Sequence, residues 1–262
     1  MEKLDVNGTE RSYLLHLPPN PVGRPLIIAL HPLGSNPNLM EAMTGFSGIS
    51  ERETIVAYPE GTKVSEDGMR SWNARFCCKD ALAANADDVG FLSSLIDTMV
   101  DRFRVSDVLV TGFSNGGMLA HLVGIELSDK IAAIAPVAAT LGRSVVEMRP
   151  KGPLPILIIH GTEDRLVPLD GRESRRLIPV AQTVEYWARH NGCSEGPITE
   201  DRDGVEVSRY APCSLGAEVI YCKVKDAGHV WPGGRVHMHG ERDPHTLDAS
   251  AMICNFFRAL RR

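Results

Sequence analysis

No apolar run in this 262-residue chain approaches the roughly 20 residues needed to cross a bilayer; the longest, residues 26–30 and 156–159, have the length of strands. The opening Met1-Glu2-Lys3-Leu4-Asp5 lacks the basic-then-apolar order of a secretory signal. There is no excess of positive charge. Twenty-eight Lys and Arg face 33 Asp and Glu for a net charge of −5, which excludes a general attraction to polyanions, so no nucleic-acid partner is expected. The clusters Arg172-Glu173-Ser174-Arg175-Arg176 and Arg261-Arg262 are short, and the first is mixed in sign; both read as solvated surface. No internal repeat and no low-complexity linker interrupts the pattern, so one domain over residues 1–262 is the expected organisation. The six cysteines show no metal-ligand spacing, and neither a metal nor a cofactor is expected.

What is present is an ordinary globular composition, 43% hydrophobic and 23% charged, sufficient to bury a substantial core. Strand-like segments fall at residues 11–17, 26–30, 54–58, 107–111, 131–137, 155–160 and 218–224. Helical spacing falls at 89–102, 116–127, 180–190 and 248–260. Strands alternating with helices predict an α/β architecture, a mainly parallel sheet covered on both faces. Long irregular stretches at 61–87, 140–153 and 232–244 flank the candidate chemistry.

The most informative segment is Gly112-Phe113-Ser114-Asn115-Gly116, a G-x-S-x-G run entered from an apolar strand and left into a helix. That context is a nucleophile elbow, in which the glycines allow strand and helix to close around a strained turn that exposes the serine. The Asn115 amide at the helix start supplies half of an oxyanion hole. A serine hydroxyl needs a histidine base, and in the order that follows such an elbow the acid comes next and the histidine last. His229, just beyond the 218–224 strand, fits this order, whereas His16, His31 and His121 do not. Asp164, in the loop after the 155–160 strand, is the expected orienting acid, with Glu163 and Asp226 as rivals. His160 reads as a structural histidine beneath the site. The second oxyanion donor is expected from the Leu33 amide in His31-Pro32-Leu33-Gly34, because Pro32 has no amide hydrogen; His31 would brace that loop. His237, His239 and His245 share a polar loop with no diagnostic ligand spacing and read as solvent-exposed, with a metal site built from them and Glu241 or Asp243 as the other reading. Cys193 and Cys213 are the best candidate disulfide pair, with buried free thiols as the other reading; Cys77, Cys78, Cys222 and Cys254 have no assigned partners.

Taken together, His31-Pro32-Leu33-Gly34, Arg70-Ser71-Trp72-Asn73-Ala74, Cys77-Cys78, Asp87-Asp88-Val89-Gly90-Phe91, the 112–118 elbow, Ala135-Pro136-Val137, the stretch 160–168, Asn191-Gly192-Cys193 and the stretch 228–234 resemble the family of feruloyl, acetyl-xylan and polyhydroxybutyrate depolymerase-like esterases. The resemblance spans nearly the whole chain and departs at Pro32, where that family commonly has glycine. It implies an α/β-hydrolase fold without a large lid and cofactor-free ester hydrolysis through an acyl-enzyme on Ser114, with His229 and Asp164 completing the triad. It also implies a feruloyl, acetyl or similar small ester as substrate, free or polysaccharide-linked, with hydroxyalkanoate esters as the alternative. Trp72 and Trp231 match aromatic positions near the cleft; with His31 they are the candidate substrate contacts, and core packing is the other reading of both tryptophans. Secretion or a periplasmic location is what the resemblance and the cysteine count imply, with a cytoplasmic location as the alternative because no secretory signal opens the chain. Two rivals of other classes stand beside it: a serine peptidase or amidase using the same triad, and a catalytically silent binding protein on the same fold. Oligomeric state is not legible.

Overall fold

The structure, a computed structural model, describes residues 1–49, 53–238 and 240–261. Two positions singled out above, His239 and Arg262, lie outside the described residues. In chain order the elements are β1 (Glu2–Val6), β2 (Thr9–His16), β3 (Leu26–Leu30), α1 (Pro37–Thr44), α2 (Phe46–Ile49), β4 (Ile55–Pro59), α3 (Lys79–Ala83), α4 (Asp88–Phe103), β5 (Val108–Phe113), α5 (Asn115–Glu126), β6 (Ala133–Val137), β7 (Ile156–Gly161), α6 (Val180–His190), β8 (Ile198–Arg202), β9 (Val205–Tyr210), β10 (Val219–Val224) and α7 (Ala249–Ala259).

The strands form a ten-stranded sheet in the order β1-β2-β4-β3-β5-β6-β7-β10-β9-β8. The six central strands from β4 to β10 run parallel, and antiparallel hairpins close both edges. Each of β3 to β7 is buried along its whole length, the signature of strands covered on two faces. Side chains alternate across a strand, so the core divides in two. Leu26, Ile28 and Leu30 join the layer under α4, α5 and α6, while Ile27 and Ala29 join Met40, Phe46, Ile253 and Phe257 under α1, α2 and α7.

The alternation of strands and helices read from the sequence is the one observed. The structure adds α3 inside the stretch expected to be irregular, the short helices α1 and α2, and two edge hairpins. At the first of these, Asn7 and Gly8 both take positive φ (53° and 80°), which closes β1 onto β2. Among the described residues no helix is long and apolar enough to cross a membrane.

Candidate active site

The chain leaves β5 through Ser114, at φ 54° and ψ −118°, and enters α5 at once. A left-handed backbone at a non-glycine residue costs on the order of 1–3 kcal/mol and persists only where its surroundings enforce it. Here the enforcement is close packing. A Cβ on Gly112 would lie 2.4 Å from the Gly116 carbonyl carbon, and one on Gly116 would lie 2.2 Å from the Leu30 carbonyl oxygen, so both positions require glycine. The Ser114 amide donates to the Val137 carbonyl at 3.0 Å, which ties the turn to β6. Ser114 itself remains half-buried and reaches a cleft.

Asp164 follows β7 and His229 follows β10, so both stand at the carboxyl edge of the sheet that carries Ser114. His229 Nε2 lies 2.8 Å from Ser114 Oγ, and His229 Nδ1 lies 2.7 Å from Asp164 Oδ2. The other carboxylate oxygen, Oδ1, accepts the amides of Leu166 and Val167 at 2.9 and 2.7 Å, which fixes the plane of the carboxylate. Asp164 and His229 are buried, and among the described residues neither Glu163 nor Asp226 forms a hydrogen bond or ion pair with the imidazole. His160 lies beneath, its Nε2 2.8 Å from the Val167 carbonyl and 3.5 Å from Asp164 Oδ2. Burial lowers the His160 pKa, against the pull of the Asp164 carboxylate.

The loop after β3 turns at Pro32, closed by the Ser35 amide donating to the Pro32 carbonyl at 3.1 Å with Gly34 at φ 76°. Leu33 and Asn115 both line the cleft. Neither backbone amide donates to another group among the described residues, so both are available to an oxyanion. A ladder of bonds holds these two segments together. Asn115 Oδ1 accepts the Trp72 amide at 2.8 Å and its Nδ2 donates to the Trp72 carbonyl at 3.0 Å; Trp72 Nε1 donates to the His31 carbonyl at 2.8 Å. His31 Nδ1 faces the Pro32 carbonyl at 2.8 Å, and its Nε2 accepts the Gly61 amide at 2.9 Å. That bonding requires neutral imidazole, and burial lowers its pKa to about 4.

Three candidate substrate contacts are corrected by their surroundings. Trp72, Trp231 and His31 have at most 1% of their surface exposed and do not line the cleft. Trp72 and His31 belong to the bracing ladder. Trp231 donates from Nε1 to Ser250 Oγ at 2.9 Å and meets Phe46 edge-on. The motifs around them are structural too: Asp88 receives Arg11 at 2.7 Å and the Asn73 amide at 2.7 Å, and Asp87 caps α4 through the Gly90 amide. The walls of the cleft, which encloses about 450 Å³, come instead from Phe76, Met118, Leu166, Leu177 and Met238, with Lys79 and Arg175 as its cations. Apart from Met118 on α5, these are single apolar residues in irregular segments, which carry no pattern that would have marked them.

Cys193 and Cys213 form a disulfide, Cys77 and Cys78 place their sulfurs in contact on the cleft wall, and Cys222 and Cys254 are buried free thiols. His237, Asp243 and His245 come together in the loop that follows His229, the grouping of that polar loop weighed above as the other reading.

Comparison with known proteins gives a consistent picture. A model of the phospholipase/carboxylesterase family matches residues 18–183. NocK of Nocardia uniformis subsp. tsuyamanensis, which carries the name of an esterase, is 33% identical over 256 residues, covering 87% of this chain and 73% of NocK. Feruloyl esterase B of Piromyces equi is 29% identical over 226 residues, 81% of this chain but only 40% of that protein. Among solved structures, acetyl xylan esterase from Aspergillus awamori superposes with a TM-score of 0.63 at 16% identity, covering 91% of this chain and 95% of that one; at that identity the likeness is one of fold, the α/β-hydrolase fold.

Proposed function

The chain belongs to the phospholipase/carboxylesterase family and is a carboxylic-ester hydrolase, and we propose that it acts through an acyl-enzyme on Ser114, with His229 as general base and Asp164 as the residue that orients it. The observation that carries this reading is the unbroken relay from Ser114 Oγ through His229 to Asp164, with contacts of 2.8 and 2.7 Å.

Two backbone amides occupy Asp164 Oδ1, so Oδ2 is the oxygen that meets His229 Nδ1 and holds the proton there. Nε2 then presents its lone pair to the Ser114 hydroxyl. As Oγ attacks the ester carbonyl, the proton passes to Nε2, and the Leu33 and Asn115 amides receive the oxyanion. The imidazolium returns that proton to the departing alcohol. Water, deprotonated by the same nitrogen, then hydrolyses the acyl-serine.

Feruloyl, acetyl or comparably small esters, free or attached to polysaccharide, are the substrate class we assign. The names of the relatives support it, as does an apolar cleft of about 450 Å³. The Cys193–Cys213 disulfide supports an oxidising compartment, secreted or periplasmic. One domain over the whole chain is supported by the unbroken sheet.

Ser114→Ala tests the reading. Hydrolysis of a p-nitrophenyl ester should vanish and fluorophosphonate labelling with it, while the circular dichroism spectrum is retained; near-normal turnover would overturn the assignment. A panel of methyl ferulate, acetylated xylan, short p-nitrophenyl esters, a hydroxybutyrate oligomer and matched amides then ranks the substrate classes.

A further inference from the structure

We propose that His237, Asp243 and His245 form a binding site for a divalent cation of the zinc class, set in the loop that returns from His229 to α7. Asp243 is the anchor. Its side chain is only 2% exposed, and it is held by the Gly233 amide on Oδ2 at 2.8 Å and the His245 amide on Oδ1 at 2.9 Å. Around Oδ2 stand His245 Nδ1 at 3.4 Å and His237 Nε2 at 3.9 Å, and the three donor atoms lie within 4.8 Å of one another.

Neither imidazole nitrogen makes a hydrogen bond to the carboxylate or to any other described group. A tetrahedral zinc ion with bonds of about 2.0–2.2 Å separates its donors by roughly 3.3–3.5 Å. The His245–Asp243 spacing of 3.4 Å matches that edge, while the 3.9 Å from His237 and a longest separation within 4.8 Å require the partly exposed His237 side chain to move toward the ion. Two imidazoles and one carboxylate suit zinc and its first-row neighbours rather than calcium or magnesium, which favour oxygen alone. The amides on Asp243 are the outer partners that fix a ligating carboxylate. Both rings reach solvent, which gives the ion a path in.

The position gives the site a structural consequence. Gly233, which donates to Asp243, belongs to the segment just after His229, and the Gly228 amide donates to the Arg242 carbonyl at 2.8 Å. Met238, next to His237, is a wall of the cleft. A bound cation would therefore clamp the loop that carries His229 and fix one wall of the cleft.

The test uses the full chain without a histidine tag, freed of metal and titrated with Co²⁺. One equivalent should bind with the intense visible bands of a tetrahedral cobalt centre, Zn²⁺ should displace it, and the melting temperature should rise on binding. His237→Ala and His245→Ala, checked as folded by circular dichroism, should weaken cobalt binding by about tenfold or more and abolish those bands. Absence of stoichiometric binding to the unmodified chain overturns the proposal, as does a double variant that binds cobalt as the unmodified chain does.

Discussion

Asn115 grips the backbone of Trp72 from both sides, accepting its amide at 2.8 Å and donating to its carbonyl at 3.0 Å, while the same residue lines the cleft beside Ser114. One residue thus joins the serine turn to the segment that holds the His31 loop, proposed above to supply the second oxyanion donor. Asn115→Ala keeps the backbone donor but leaves two buried groups of Trp72 unpaired, a cost of roughly 2–4 kcal/mol. Urea unfolding should show that loss. Because Trp72, whose indole holds the His31 carbonyl, then loses its backbone clamp, kcat should fall by about tenfold or more with little change in KM; a variant with full kcat would show that the brace does not shape the site.

Asp164→Asn places an amide opposite His229 Nδ1, where the present contact is 2.7 Å. The amide donates, so it favours the tautomer with the proton on Nε2, which cannot accept from Ser114. A fall in kcat of about 10⁴-fold is expected with the fold intact. Steady-state kinetics check it, and a fall under tenfold would remove Asp164 from the relay.

Trp231→Phe breaks the bond to Ser250 and should cost about 1–3 kcal/mol of stability, while the ratio of kcat/KM for methyl ferulate over p-nitrophenyl acetate stays constant, since Trp231 packs on Phe46 and not on the cleft. Met238→Ala, at the cleft wall, should change that ratio. The opposite pattern would return Trp231 to the substrate.

Acid should unfold this protein early. Burial holds His31 at about 4 and His121 at about 3, below the roughly 6.5 of an unfolded histidine. Between those values the unfolded chain binds protons that the folded chain refuses. The stabilisation is therefore complete above about pH 6.5 and is lost as pH falls toward 4, at roughly 1 kcal/mol per unit for each histidine. Urea unfolding at pH 5 should give a stability roughly 3 kcal/mol below that at pH 7. His121→Gln can still accept the Trp187 indole N–H, now at 3.0 Å from His121 Nδ1, and should flatten that slope. Equal stability at both pH values would contradict the assignment.

Reduction of the Cys193–Cys213 disulfide, whose cysteines are 20 positions apart, should lower stability by about 2–4 kcal/mol through the freed chain entropy. The double serine variant should show the same loss in calorimetry, and an unchanged melting temperature would argue against the bond.

The sequence by itself determined the central strands, their helices and the serine turn, because these are written locally: short continuous apolar runs of strand length, a helical spacing, a pair of glycines where no Cβ fits. The order of Ser114, Asp164 and His229 along the chain was legible for the same reason, each following a strand. Only the tertiary structure decided which aromatic rings face substrate. Trp72 and Trp231 carry no mark that separates a cleft wall from a core, and it took the three-dimensional partners, Asn115 and Ser250, to bury them. The same holds for the cleft residues and for His237, Asp243 and His245, whose convergence depends on loop closure over many residues rather than on any local period.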